Sequence, residues 1–542
     1  MKHIHFIGIC GVGMSALAIL WKKKGWKVTG SDVGFYPPIS THLRKHGVEY
    51  YPGWHPERIG ASQSLIHNPG QSEQSHLIAR DLSATLQDDN KPDLVVVGNV
   101  AGSENPEWKF VQEAKIPYVS YPELISQNLV KENSIVCAGT YGKTSSAILL
   151  SWILQRADFK PAYMFGGLSL NMEESADDPT ESEWSVLEGD EYKTARWDNK
   201  AKFFSYKPTH LLLTSVKWDH ADIYATEESY FEAFRKLIAM VPKDGLIVAS
   251  EDVPSSVANR REKASYTAPT SLAPIRGNDK MITYGKSEKS DYHYTNLKQT
   301  KKYLSFDIIH KQKNYHIEAP IIGEYMADNI CGAFAMANEI GIESDKIIKA
   351  LNKFKGIKRR LEKRGEINGT DIFDDIAHSP FKAQAVLETL RLLYCHCEAK
   401  GRSNPSVEEI TQPLSMAHNE KPRIFAIFEP NTGNRQRIAI SNYDNAFTNA
   451  DEVIIPRLTK IKTKKLSSQA NSMPNAEAVE TPIESEELAK IISHTHNNVK
   501  YFEDDKKLVD YIKEKTRPGD AVVFLGSHGF RGMIDDLVNA KF

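Results

Sequence analysis

Two glycine-rich turns hold the residues best suited to chemistry. In the sharper one, a short apolar strand, Ser134–Ala138, runs into Gly139-Thr140-Tyr141-Gly142-Lys143-Thr144-Ser145-Ser146 and then a helix, Ala147–Arg156. Backbone N–H groups of such a turn cradle β- and γ-phosphates, the lysine neutralises charge, and the threonine hydroxyl holds Mg²⁺. Cys137 stands where the longest form of this motif has glycine, so the turn is the shorter G-x-x-G-K-T form. Gly139, Thr140, Gly142, Lys143, Thr144 and Ser145 are the candidate nucleotide-binding residues.

The other turn is Gly8-Ile9-Cys10-Gly11-Val12-Gly13-Met14-Ser15, between a strand and the helix Met14–Lys23. Glycines let a phosphate approach the backbone, and the helix N-terminus offers free N–H groups. Asp32 follows about 20 residues later, where a Rossmann-like fold presents an acid to a ribose or base. The spacing G-x-x-G-x-G differs from the dinucleotide pattern G-x-G-x-x-G, which argues against a nicotinamide dehydrogenase. A tight turn without a ligand is the alternative. Two acidic runs complete the set: Glu188-Gly189-Asp190-Glu191 ends one strand, and Asp219-His220-Ala221-Asp222 follows another. Oxygen ligands with one histidine beside a phosphate loop suit Mg²⁺.

These residues need a scaffold of parallel strands. Short apolar runs at His3–Gly8, Asp93–Gly98, Ser134–Ala138, Trp184–Leu187, His210–Thr214, Gly245–Ala249, Arg423–Phe428, Glu452–Ile455 and Ala521–Leu525 alternate with helical patterns. That order predicts α/β sheets. Tyr303–Ile317 alternates around Lys311–Asn314 and predicts an antiparallel hairpin. The expected domains are 1–131, 132–358 and 359–542. Segments 61–91, 395–421 and 462–486 lack periodicity and read as surface insertions. Cys395-His396-Cys397 has no second pair nearby and reads as an insertion edge rather than a metal site.

Composition agrees with a large globular chain. At roughly 150 residues per domain, 542 residues suggest three or four domains. Lys and Arg number 68 against 70 Asp and Glu, a balance that argues against a general nucleic-acid or membrane-surface binder. Five cysteines make no disulfide framework and fit a cytoplasmic location. The apolar N-terminus is studded with glycine and starts as a strand, so it is not read as a secretory leader.

Taken in order, G-x-x-G-x-G-M-S, GTYGKTS, EGDEY, DHAD, KRRLE, DDIAHSP and PGD…GSHGF resemble the ATP-dependent Mur ligases over nearly the whole chain. The resemblance implies a three-domain α/β architecture. A Rossmann-like N-terminal domain would hold UDP-N-acetylmuramate. A central phosphate-loop ATPase domain with a small antiparallel sheet would hold ATP, and a Rossmann-like C-terminal domain would bring the amine. It is strongest toward the branch that adds L-alanyl-γ-D-glutamyl-meso-diaminopimelate in peptidoglycan recycling, with the L-alanine-adding branch next. It implies that Gly8, Gly11, Gly13, Met14, Ser15 and Asp32 face the UDP-sugar and that Thr144, Glu188 and His220 hold Mg²⁺. Asn329 would lie by the adenine, Arg360 on the ATP phosphates and Asp375 on the ribose. Lys143, Glu188, His220, Arg360 and His378 are the implied catalytic set.

The chain departs from the family pattern at four places: Tyr141 for His, Tyr325-Met326 for His-Asn, Ser379 for a second His, and Asn431–Arg435 for Arg-Ser-Asn-Thr. A thioether packs against a base where an amide would read its edge, so Met326 predicts weaker selection of ATP over GTP, and the same replacements leave a non-catalytic UDP-sugar-binding homologue as the alternative to a ligase.

Overall fold

The computed structural model describes the chain except residues 36–38, 61–90, 100, 219–222, 259–280, 396–420, 460–481, 528 and 540–542. Most of the three expected insertions and the Cys395–Cys397 run therefore lie outside the described residues. The end of the last one is not an insertion: Ile483 is buried, and Ser485 opens a helix.

The chain forms two compact units. The first, Met1–Lys298 with Lys302–Ile357, contains two large sheets and a two-stranded one. Strands β1 (His3–Ile7), β2 (Lys27–Asp32), β3 (Glu49–Pro52), β4 (Leu94–Val97) and β5 (Tyr118–Ser120) make a five-stranded sheet in the order β3-β2-β1-β4-β5. Every pairing is parallel. Helices α1 (Val12–Lys23), α2 (Ile39–Lys45), α3 (Pro106–Glu113) and α4 (Tyr121–Asn128) accompany it. All of β1 is buried, including two histidines. His3 Nε2 and His5 Nδ1 each lie 2.8 Å from Thr29 Oγ1 on β2, which bonds one ring nitrogen of each buried histidine. Ser120 and Glu123 form a capping box that starts α4.

The second sheet has ten strands. Its centre is β6 (Asn133–Ala138), followed by helix α5 (Lys143–Arg156). Next along the chain come β7 (Ala162–Met164), β8 (Ala176–Asp177) and β9 (Trp184–Gly189). A small hairpin, β10 (Lys193–Ala195) and β11 (Asp198–Ala201), stands apart from the sheet. Then follow β12 (His210–Leu213), helix α6 (Glu227–Met240), β13 (Leu246–Ser250) and the short helix α7 (Ser255–Ala258). The rest is β14 (Met281–Gly285), β15 (Tyr292–Gln299), β16 (Leu304–His310), β17 (Lys313–Ala319), α8 (Tyr325–Glu339) and α9 (Ser344–Leu351). The strand order is β17-β16-β15-β14-β13-β12-β6-β9-β7-β8.

The expected hairpin is β16–β17, antiparallel, turning on Lys311 and Gln312 at φ 47° and 64°. Positive φ at both central residues matches the twist of the flanking strands. This antiparallel edge continues the main sheet rather than forming a separate one. Helices α5 and α8 bury apolar faces in one cluster that includes Ile148, Leu149, Ile330 and Phe334.

The second unit carries a six-stranded sheet: β18 (Glu362–Ile367), β19 (Thr370–Asp375), β20 (Ile424–Glu429), β21 (Glu452–Pro456), β22 (Val499–Phe502) and β23 (Ala521–Gly526). They lie in the order β18-β19-β23-β20-β21-β22, antiparallel only at β18–β19. Its helices are α10 (Pro380–Cys395), α11 (Ser485–Ser493), α12 (Asp505–Lys515) and α13 (Met533–Val538). Among the described residues no helix is long and apolar enough to cross a membrane.

Candidate active site

The phosphate loop leaves the carboxyl end of β6 and enters α5 at Lys143. Gly139 and Gly142 have φ of 144° and 83°, a region that glycine enters without steric cost. A Cβ at Gly139 would meet Ser215 O at 2.6 Å, and one at Gly142 would run into Asn329 Oδ1. Both glycines are thus required by space as well as by dihedral, and Asn329 stands against the loop. Side-chain and main-chain bonds from the end of β12 hold its shape. Thr140 N donates to Ser215 O at 2.9 Å, Thr140 Oγ1 to Lys217 O at 2.7 Å, and Tyr141 N to Ser215 Oγ at 3.0 Å.

Lys143 is folded over its own loop. Its Nζ donates to Gly139 O at 2.6 Å and forms an ion pair with Glu191 Oε2 at 2.8 Å. Burial would lower its pKa, but Glu191 and Asp190 outweigh that and raise it above the usual lysine value. Thr144 Oγ1 donates to Glu188 Oε1 at 2.6 Å, and Glu188 Oε2 accepts from Gly166 N at 2.5 Å. Hydroxyl and carboxylate are therefore held together at the helix N-terminus, a donor set suited to a phosphate-bound Mg²⁺. Asp190 pairs with Lys202 at 2.6 Å. Burial pushes that carboxyl up, yet Lys202 and Lys143 draw it below the usual value.

Glu188, Asp190 and Lys202 line a cavity of about 280 Å³ whose other wall is the first glycine turn. Gly8, Gly11, Gly13 and Met14 form that wall, with Gly98 and Asn99 after β4 and Tyr121 at the start of α4. A Cβ at Gly13 would lie 2.5 Å from Tyr121 Oη, so any side chain there would have to push the Tyr121 ring aside. The first glycine turn lines this cavity, and the phosphate loop reaches it through Thr144, which is bonded to the cavity residue Glu188.

Other expected residues have different surroundings. Asp32 is 7% exposed and braces the turn, accepting from Cys10 N at 2.9 Å and Val33 N at 2.7 Å. Burial raises its pKa. Ser15 is buried and donates to Val12 O. Ser145 is buried beneath the loop. Burial also pushes the Cys10 thiol up to about 12, which suits a packing residue rather than a nucleophile. Met326 is 4% exposed within the core and accepts a bond from Asn329 Nδ2 at 3.7 Å. With so little surface exposed it can offer almost nothing to a base, against the expectation that it packs on one. His220 lies outside the described residues.

Arg360, Asp375 and His378 belong to the second unit. Asp375, 3% exposed, accepts from Leu361 N at 2.6 Å and Ala377 N at 2.8 Å. Burial raises its pKa, and the nearby Arg360 charge acts against that rise. His378 Nδ1 lies 2.7 Å from Ile376 O, and its carbonyl accepts from Asn431 N, so the loops after β19 and β20 meet. Arg435 is 2% exposed and bound to Ile483 O and Thr459 O, a structural role.

Sequence reasoning missed Lys202, Tyr121 and Asn99, which lie in no motif. It quoted Glu191 within the acidic run without seeing its tie to Lys143.

The fold and this site define a nucleotide-binding α/β ligase. A model of the Mur ligase family catalytic domain matches residues 3–131, and one of the Mur ligase middle domain matches residues 137–337. A Haemophilus influenzae protein named UDP-N-acetylmuramate–L-alanyl-γ-D-glutamyl-meso-2,6-diaminoheptandioate ligase is 30% identical over 72% of this chain and 76% of its own. The Escherichia coli K12 protein of that name is 28% identical over 99% and 97%. The crystal structure of a murein peptide ligase from Psychrobacter arcticus shares the fold, with TM-score 0.62 and 23% identity over 100% of this chain and 98% of that one. The chain belongs to the Mur ligase family.

Proposed function

We propose that this protein is an ATP-dependent ligase joining the lactyl carboxylate of UDP-N-acetylmuramate to the amine of L-alanyl-γ-D-glutamyl-meso-diaminopimelate. The supporting observation is the continuity of one cavity from the first glycine turn to Glu188, which is bonded to Thr144 of the phosphate loop. A sugar nucleotide held by the first turn would present its carboxylate toward the nucleotide-binding lysine. The proposed working domains are residues 1–131, 132–358 and 359–542.

ATP would supply the phosphoryl group that converts the carboxylate to an acyl phosphate with release of ADP, and attack of the amine on the acyl carbon would then form the amide and release inorganic phosphate. The chain's task is to bring two anions together. Lys143 neutralises charge once its bond to Gly139 O is exchanged for phosphate oxygen, and Glu191 keeps it protonated. Thr144, Glu188 and His220 would hold Mg²⁺. The backbone of Gly11–Met14 and the Lys202 ammonium provide the positive surface for the sugar nucleotide. Asn329 orders the loop beside the base. In the second unit, Arg360 and Asp375 would contact the nucleotide and His378 the amine side.

The test supplies UDP-N-acetylmuramate, ATP and Mg²⁺ with either the tripeptide or L-alanine and reads products by mass. Ligation of the tripeptide at much the higher kcat/KM is expected. Preference for L-alanine overturns the choice of amine, and no ligation of any amine overturns the reaction.

A further inference from the structure

Among the described residues, one group of histidine and carboxylate side chains converges closely enough to hold a metal ion, and it stands away from the cavity. His42 and His46 lie one helical turn apart at the end of α2, and Glu174 lies between β7 and β8. His42 Nε2 is 2.8 Å from Glu174 Oε2, and His46 Nε2 is 2.9 Å from Glu174 Oε1. The possible ligand atoms all lie within 4.8 Å of one another. The His46 Nε2 contact lacks hydrogen-bond geometry, so this buried ring nitrogen has no hydrogen-bond partner. Both rings aim the same nitrogen at one carboxylate that is only 6% exposed.

We propose that His42, His46 and Glu174 form a binding site for a divalent transition metal of the Zn²⁺ class, fastening α2 of the five-stranded sheet to the segment before β8 of the ten-stranded sheet. Two imidazoles and a carboxylate are a borderline donor set that suits Zn²⁺ better than Mg²⁺ or Ca²⁺. Histidines at i and i+4 on one helix face, joined by a glutamate from elsewhere, are a workable three-ligand arrangement with a fourth position for water. The ligand atoms need to shift by only about 1–2 Å, since tetrahedral zinc at about 2.0–2.1 Å from each donor spaces them by roughly 3.3 Å. Lys23 Nζ, 3.0 Å from Glu174 Oε1, now supplies the cation at this carboxylate. Its side chain is 44% exposed and free to turn to solvent when the metal takes its place. Glu174 is held below the usual carboxylate range: burial pushes it up, but His42 and Lys23 more than offset that.

The experiment uses the full chain freed of metal by chelation. Zn²⁺ is titrated by calorimetry into the wild type, His42→Ala, His46→Ala and Glu174→Gln, and X-ray absorption at the zinc edge is recorded on the wild type with one equivalent. The wild type is expected to bind one Zn²⁺ that each variant binds on the order of 10²-fold more weakly, with two imidazoles in its zinc spectrum. Zinc should raise the wild-type melting temperature by a few degrees and the variants' by less. Equal stoichiometry and affinity in wild type and variants, or a zinc spectrum without two imidazoles, overturns the proposal. Should a variant fail to fold, the wild-type spectrum decides alone.

Discussion

The two glycine turns share a plan, strand to glycine to helix, and differ in what surrounds it. The turn at residues 139–142 brings its own chemistry: Lys143 and Thr144 open α5, and Glu188 and Glu191 meet them from β9 and the residue run beyond it. The turn at residues 8–13 has no charged side chain within it. Its brace, Asp32, is bonded back to the turn, and the cation lining the cavity, Lys202, comes from the segment just after β11. A turn that must steady a reacting phosphoryl group needs side-chain charge at hand. A turn that only holds a diphosphate can rely on backbone N–H groups.

The largest effect that tests this contrast is expected from Lys143→Ala. It should lower kcat by roughly 10³-fold with the fold retained by circular dichroism. Activity near wild type would mean that the two turns do not differ in role. Glu188→Gln comes next, with a loss of roughly 10²-fold and a higher Mg²⁺ concentration for half-maximal rate. A loss without that shift would separate Glu188 from the metal.

On the other side of the cavity, Lys202→Ala should raise KM for UDP-N-acetylmuramate on the order of tenfold while kcat and KM for ATP change little. An equal fall in kcat would put Lys202 among the reacting groups. The smallest effect is one of stability. Asp328, on α8 beside Asn329, has its pKa raised to about 7 by burial and by Asp252 and Glu251. A carboxyl whose folded pKa exceeds its unfolded value favours the fold while protonated. That contribution is present at low pH and is lost as pH rises from about 4 through about 7. Asp328→Asn should therefore match the wild type at pH 4. Allowing for partial exposure, it should be more stable by on the order of 2 kcal/mol at pH 8, measured by urea unfolding. Equal stability at both values would show that Asp328 is not strained by its neighbours.

Local pattern carried much of this. The nine expected strands stand within a residue or two of their observed ends, because burial on both faces of a parallel strand leaves a continuous apolar run. The phosphate loop was legible for the same reason: its glycines, lysine and threonine act within one turn of chain. Lys202 was not, since a lone lysine near a β-hairpin has no local signature, and only the packing of that hairpin beside the first turn gives it a use. Met326 read as a base contact because its neighbours in sequence resemble a motif. The helix instead turns it into the core, where the side-chain direction and not the residue type decides what it can touch.

By itself the amino-acid order determined the α/β class, the phosphate loop and the family, all properties of contiguous residues. Tertiary structure alone decided which distant groups share a space. It placed Glu191 on Lys143, set the first glycine turn across one cavity from Glu188, and brought His42 and His46 to Glu174. Those pairings depend on how sheets stack and on where loops of very different sequence position come to lie, and short-range pattern carries no record of that.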